Sequence, residues 1–136
     1  MEISNQKTPI RSFRDLEVYR NTYQTMIKVN IDVLPKLPSS EKYDLKDQLS
    51  RSSKAIPRLI AEGYAKRHQK FGFQKYLDDA MAECNETVVS LEQCRDLYNL
   101  DQDIINPLVD IYDKSGRQLY KLSMAWSNFK RRQPQP

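Results

Sequence analysis

Apolar residues recur every three or four positions along four stretches of the chain, the spacing of amphipathic helices. The first stretch, FRDLEVYRNTYQTMIKVNIDVL, carries Leu16, Tyr19, Tyr23, Met26, Ile27, Val33 and Leu34 on one predicted face. Ser12 is placed to cap it, and Asp15 and Glu17 suit the positive end of the helix dipole. Pro35 and Pro38 end it. The second stretch, capped by Ser39 or Ser40, buries Leu45, Leu49, Ser52, Ile56, Leu59 and Ile60. Small Ser52, Ser53 and Ala55 beside that stripe permit a close neighbour. After the loop YAKRHQK, a third helix is expected over roughly 71–98, with Phe73, Leu77, Ala80, Cys84, Thr87, Val88, Leu91, Cys94 and Tyr98 inward. A turn at Asn99–Gln102, with Asp101 as a cap, leads to the fourth helix. Its stripe is Ile104, Ile105, Leu108, Ile111, Tyr112, Leu119, Leu122, Trp126 and Phe129, and Pro107 allows a start at either 101 or 106. Short connections between such helices predict an all-α, antiparallel up-down-up-down four-helix bundle over residues 12–131. Residues 1–11 and 132–136 are expected to be flexible.

The segment IPRLIAEGY interrupts this regularity. Pro57 lacks an N–H, so the Ser53 carbonyl loses its helical partner, at a cost of about 3 kcal/mol in a helix interior. The helix could end at Ala55, but Ile56, Leu59 and Ile60 keep helical spacing across the proline. A bend in a continuing helix is therefore expected, with the Ser52 or Ser53 hydroxyl meeting the freed carbonyl. Gly63, after Glu62, then either ends the helix in the left-handed conformation or marks a close approach.

Length and composition fit one helical domain: 136 residues with glycines only at 63, 72 and 116. The N-terminal MEISNQKTPIR lacks the apolar core of a signal peptide, and no apolar run approaches the ~20 residues that span a bilayer. A cytoplasmic location away from membranes is expected. Cys84 and Cys94 fall in one predicted helix about 15 Å apart, too far for a disulfide, and read as reduced core thiols.

The net charge of +4 conceals segregation. Residues 41–70 hold eight Lys/Arg against four Asp/Glu; residues 71–113 hold two against ten; residues 114–136 hold six against none. Such faces can steer a polyanion or dock one subunit on another. Arg51, Lys54 and Arg58 share an arc of roughly 60° opposite the apolar stripe and can follow a phosphate backbone. The alternative is an ordinary solvated face, given the Asp47–Arg51 and Arg58–Glu62 spacings. Lys66, Arg67, His68 and Lys70 crowd the next loop, where Tyr64 and Phe71 can stack on bases or pin the loop to the core. Lys130, Arg131 and Arg132 form a third cluster. An up-down bundle gathers that cluster, the loop and Arg11 and Arg14 at one pole. Asp79, Glu83 and Glu86 make an acidic row, a candidate oligomer interface rather than a metal site. A di-iron bundle needs Glu-x-x-His on two helices, and the single histidine, His68, lies in a loop. No nucleophile–base set and no phosphate-binding G-x-x-x-x-G-K occurs, so neither an enzyme nor a cofactor is expected.

FRDLEVY, QLSRSSKAIPRLIAEGYAKR and FQKYLDDA together resemble the small bacterial four-helix-bundle proteins encoded within intervening sequences of 23S ribosomal RNA genes. The resemblance runs from residue 13 to about 129, and Ile56-Pro57 followed by Ile60-Ala61-Glu62-Gly63 is its most specific part. It implies an antiparallel bundle that assembles as a ring, often a pentamer, with a basic surface for RNA or DNA and no established reaction. Three positions depart from the usual pattern: Leu59 where asparagine is common, Ser52 where a second base follows Arg51, and Ala82-Glu83 in place of Gly-Ser. The expected function is a noncatalytic oligomeric bundle that binds nucleic acid through its basic pole. The alternative is a self-assembly scaffold without a nucleic-acid ligand. No small-molecule substrate is indicated.

Overall fold

A computed structural model describes residues 9–132, with the side chains of the last five excepted. Residues 1–8 and 133–136 of the expected flexible ends lie outside the described residues, as do the side chains of Phe129, Lys130, Arg131 and Arg132. Four α-helices and no strand are present among the described residues: α1 Glu17–Lys28, α2 Leu45–Ala65, α3 Gly72–Tyr98 and α4 Gln102–Arg132.

The first predicted helix forms in pieces. Ser12 makes a capping box: its hydroxyl accepts from the Arg14 N–H, and the Asp15 carboxylate accepts from the Ser12 N–H. The capped element is only a 3-10 turn, Phe13–Asp15, because Leu16 is extended, and α1 begins after it. A π-helical turn over Val29–Val33 and a 3-10 turn over Leu34–Lys36 complete the stretch. Val29 and Val33 are both fully buried and continue the spacing of Val18, Thr22 and Thr25 through the π turn. The buried side of α1 itself is Val18, Thr22 and Thr25. Tyr23 and Ile27, expected inside, are 44% and 40% exposed. The threonines replace them because each hydroxyl is satisfied locally, Thr22 by the Val18 carbonyl at 2.8 Å and Thr25 by that of Asn21 at 2.7 Å.

The start of α2 also differs. Neither Ser39 nor Ser40 caps it; the Glu41 carboxylate accepts the Leu45 N–H at 3.0 Å and, through its other oxygen, the Tyr98 hydroxyl. That carboxylate joins the entrance of α2 to the end of α3, and both hydrogen bonds hold its pKa below the usual glutamate value. Beyond it α2 is continuous through buried Pro57. The Ser52 and Ser53 hydroxyls donate instead to the Leu49 and Ser50 carbonyls, at 3.4 and 3.1 Å, so neither meets the carbonyl that Pro57 frees. Gly63 is helical with negative φ, and a Cβ there would lie 2.6 Å from the Cβ of Tyr76. It is a close-approach glycine; the helix ends two residues later.

The α3 stripe follows the expected pattern, with Phe73, Leu77, Ala80, Cys84, Thr87, Leu91 and Cys94 buried. Burial pushes the Cys84 thiol up to about 12 and the Cys94 thiol to about 11, so both stay protonated. The fourth helix takes the earlier of its two possible starts. The Asp101 side chain accepts from the Asp103 N–H at 2.9 Å, and its carbonyl accepts from Ile104 and Ile105. α2 against α3 and α3 against α4 are the most extensive contacts. Along α2 and α3 the matched positions are Glu41 with Tyr98, Ser52 with Thr87 (2.9 Å), and Gly63 with Tyr76. Arg95 bonds Asn106 at 2.8 Å, while Phe73 meets Trp126 edge-on at 5.2 Å between ring centres. Gln118 donates to Glu17, and Asn30 bridges to Ser50 and Ser53.

Candidate nucleic-acid interface

The turn between α2 and α3 is built around a backbone contact that only glycine permits. A Cβ on Gly72 would sit 2.1 Å from the Lys66 carbonyl oxygen. The chain closes tightly there: the Gln69 N–H donates to Lys66, and the Gly72 N–H to Gln69, each at 3.0 Å. Tyr64 points inward, buried against the edge of Phe73 at 5.9 Å. Phe71 does the opposite and is 63% exposed. Of the two readings for these aromatics, pinning applies to Tyr64 and presentation to solvent applies to Phe71.

Each cation of the turn lies against an aromatic ring. Lys66 Nζ donates to the Tyr76 hydroxyl at 2.8 Å and sits 5.0 Å from that ring's centre. This hydrogen bond is the main reason its pKa is raised, so its positive charge is secure at neutral pH. The Arg67 guanidinium lies 4.0 Å over the Tyr64 ring and donates to the Tyr64 carbonyl at 2.7 Å. Lys70 Nζ is 5.5 Å from the centre of Phe71. Such contacts orient a cation without neutralising it. Among the described residues, the ion pairs are Arg51–Asp47 and Arg95–Asp96, neither in this turn.

Of the elements expected to join the turn, the late part of α4 has a contact that brings it near. Trp126 on Phe73 sets the late part of α4 beside the first turn of α3, and α4 continues to Arg132. Gln118 holds Glu17, and the 3-10 turn Phe13–Asp15 contacts α2. There Arg14 stacks over Phe13 at 4.5 Å.

Arg51, Lys54 and Arg58 lie elsewhere. They form one wall of a groove of about 740 Å³ whose other wall carries Glu83 and Glu86. Arg51 pairs with Asp47 at 3.5 Å. Partial burial raises the Glu83 pKa, Glu86 and Asp79 add to the rise, and Arg51 opposes it. The two charge rows that the sequence keeps some 30 residues apart thus face each other across α2 and α3. Among the described residues no group of three His, Cys, Asp or Glu is placed to hold a metal ion. No helix among them is long and apolar enough to cross a membrane.

Sequence reasoning missed Tyr76 as the partner that holds Lys66, and Gly72 as the closure of the turn. Neither has a periodic signal, since both depend on how the chain folds back. A family model described as 23S rRNA-intervening sequence protein matches residues 14–121. No curated protein matches the chain.

Proposed function

The chain belongs to the 23S rRNA-intervening sequence protein family, and on that premise we propose that it is a noncatalytic, cytoplasmic RNA-binding bundle. In this reading the four helices run antiparallel, up-down-up-down, with α2 bent at Pro57, and RNA meets the pole formed by the 66–72 turn. The matched positions of α2 with α3 and of α3 with α4 support that topology. One observation carries the function: Lys66, Arg67 and Lys70 are each held by an aromatic ring rather than by a carboxylate. They stay available to phosphates. Lys130, Arg131 and Arg132 enlarge the same pole. The binding is chiefly electrostatic, and its affinity falls with salt on a log–log slope of roughly −3 to −6 for several phosphate contacts. Titrating a labelled stem–loop RNA at several salt concentrations tests this. Absence of binding at low salt, or binding indifferent to salt, overturns it. Lys66→Glu with Lys70→Glu weakens binding; Lys54→Glu, in the groove, does not.

The groove between α2 and α3 favours an accompanying reading, self-assembly. One wall carries Arg51, Lys54 and Arg58 beside Asp47 and Glu62, and the other carries Glu83 and Glu86, so a second copy can set its Glu83 and Glu86 on Arg51 and Arg58 of the first. The resemblance favours a pentameric ring, which multiplies a weak pole by avidity. Light scattering at micromolar concentration checks this reading, and a monomer refutes it.

A further inference from the structure

Among the described residues, two non-glycine residues have positive φ, Phe71 at 58° and Asn99 at 55°. Asparagine enters the left-handed region readily, because its short polar side chain bonds locally. Phenylalanine does so at a steric cost, and a residue held there calls for a reason beyond packing. Packing supplies none, since Phe71 is 63% exposed. The next residue is a glycine that would take the left-handed conformation without cost, but Gly72 is committed to the close approach on Lys66. The strain therefore falls on an aromatic residue whose ring is turned to water.

The backbone that carries the ring is held in place. The Phe71 carbonyl accepts the Lys75 N–H at 3.0 Å, which ties it to the first turn of α3. The closed 66–72 hydrogen bonds support it from the other side. Lys70 Nζ lies over the ring, 5.5 Å from its centre, and Lys66 bonds the Tyr76 hydroxyl at the base of the turn. A solvent-facing aromatic on a fixed backbone, with a cation over it, matches a partner that offers a flat π-face and a phosphate at once. An unpaired nucleotide has both; a nucleotide within a duplex has its face already stacked.

We infer that Phe71 is a stacking platform for an unpaired base, with Lys70 set to meet the adjoining phosphate. This rests on the RNA-binding reading and narrows it to single-stranded segments. Stacking gives sequence tolerance, because every base has a π-face.

The test uses the full chain and two labelled RNAs of equal phosphate number, an unstructured decamer and a blunt duplex, with wild type and Phe71→Leu, Phe71→Ala and Phe71→Trp. Thermal melting confirms that each variant is folded. The expected result is a five- to hundred-fold loss of decamer affinity for Phe71→Leu and Phe71→Ala. Phe71→Trp retains wild-type affinity, duplex affinity is unchanged in all, and the salt slope of the decamer stays the same. The inference is overturned if Phe71→Leu binds the decamer as wild type does, or if decamer and duplex weaken alike. It is also overturned if the leucine variant loses self-association while keeping RNA. Failure of wild type to bind either RNA at low salt removes the RNA reading itself, an outcome separate from these.

Discussion

The α2 flank and the turn that follows it carry equal numbers of cations, three at 51, 54 and 58 and three at 66, 67 and 70. Their settings are opposite. On the flank a row of carboxylates from α3 faces the cations across a groove, and the field of one row offsets that of the other. At the turn the cations rest on Tyr76, Tyr64 and Phe71. Counting bases along a chain therefore says little about a polyanion site. What stands opposite each base decides whether its charge reaches solvent.

The largest test of this contrast removes the turn. In Gly72→Ala the new Cβ would meet a backbone oxygen that cannot rotate away, so a loss of about 3 kcal/mol is expected in urea unfolding. Gly116→Ala is the control: nothing lies within 4 Å of a Cβ there, and it gains about 0.5–1 kcal/mol from helix propensity. Equal losses at both positions would erase the distinction drawn for the turn.

A second test addresses the flank. Glu83→Lys with Glu86→Lys makes both walls of the groove positive, and Arg51→Glu with Arg58→Glu makes both negative. Each variant alone loses self-association in light scattering, and an equal mixture recovers it. Recovery in neither, beside an associating wild type, would mean that the rows do not meet between copies.

A smaller effect concerns strain. Phe71→Gly relieves the left-handed residue and raises stability by up to about 1 kcal/mol, read as a higher melting temperature. A clear fall in melting temperature would show that the exposed ring packs after all.

The smallest effect is on pH. Partial burial, then Glu86 and Asp79, hold the Glu83 carboxyl above its unfolded value. The folded state then binds that proton more tightly, so this group's contribution to stability rises as pH falls from neutral toward the ordinary glutamate range. Glu83→Gln flattens that trend and slightly raises stability at pH 7. Denaturant midpoints at pH 7 and 5 measure both, and a wild-type trend of opposite sign at this site would contradict the assignment.

Much of the fold is legible because aliphatic side chains at helical spacing leave few options. Leu45, Leu49, Ile56 and Ile60 on α2, like Phe73, Leu77 and Leu91 on α3, are inside as their spacing requires. The first helix misleads for a definite reason. Thr22 and Thr25 count as polar in a pattern, yet a threonine that bonds its own helix carbonyl is a good core residue. The displaced Tyr23 and Ile27 then line the outside. The Glu41–Tyr98 bond joins residues 57 apart, beyond the reach of any local signal.

The sequence by itself determined four amphipathic helices, their order, and which cations crowd the turn after α2, because periodicity and composition are local properties. Tertiary structure alone decided that Arg51, Lys54 and Arg58 look across at Glu83 and Glu86, that Gly63 and Gly72 are points of contact, and that Phe71 faces solvent. The reason is physical: charge opposition, close approach and exposure are relations between segments, and they exist only once the chain has folded back on itself.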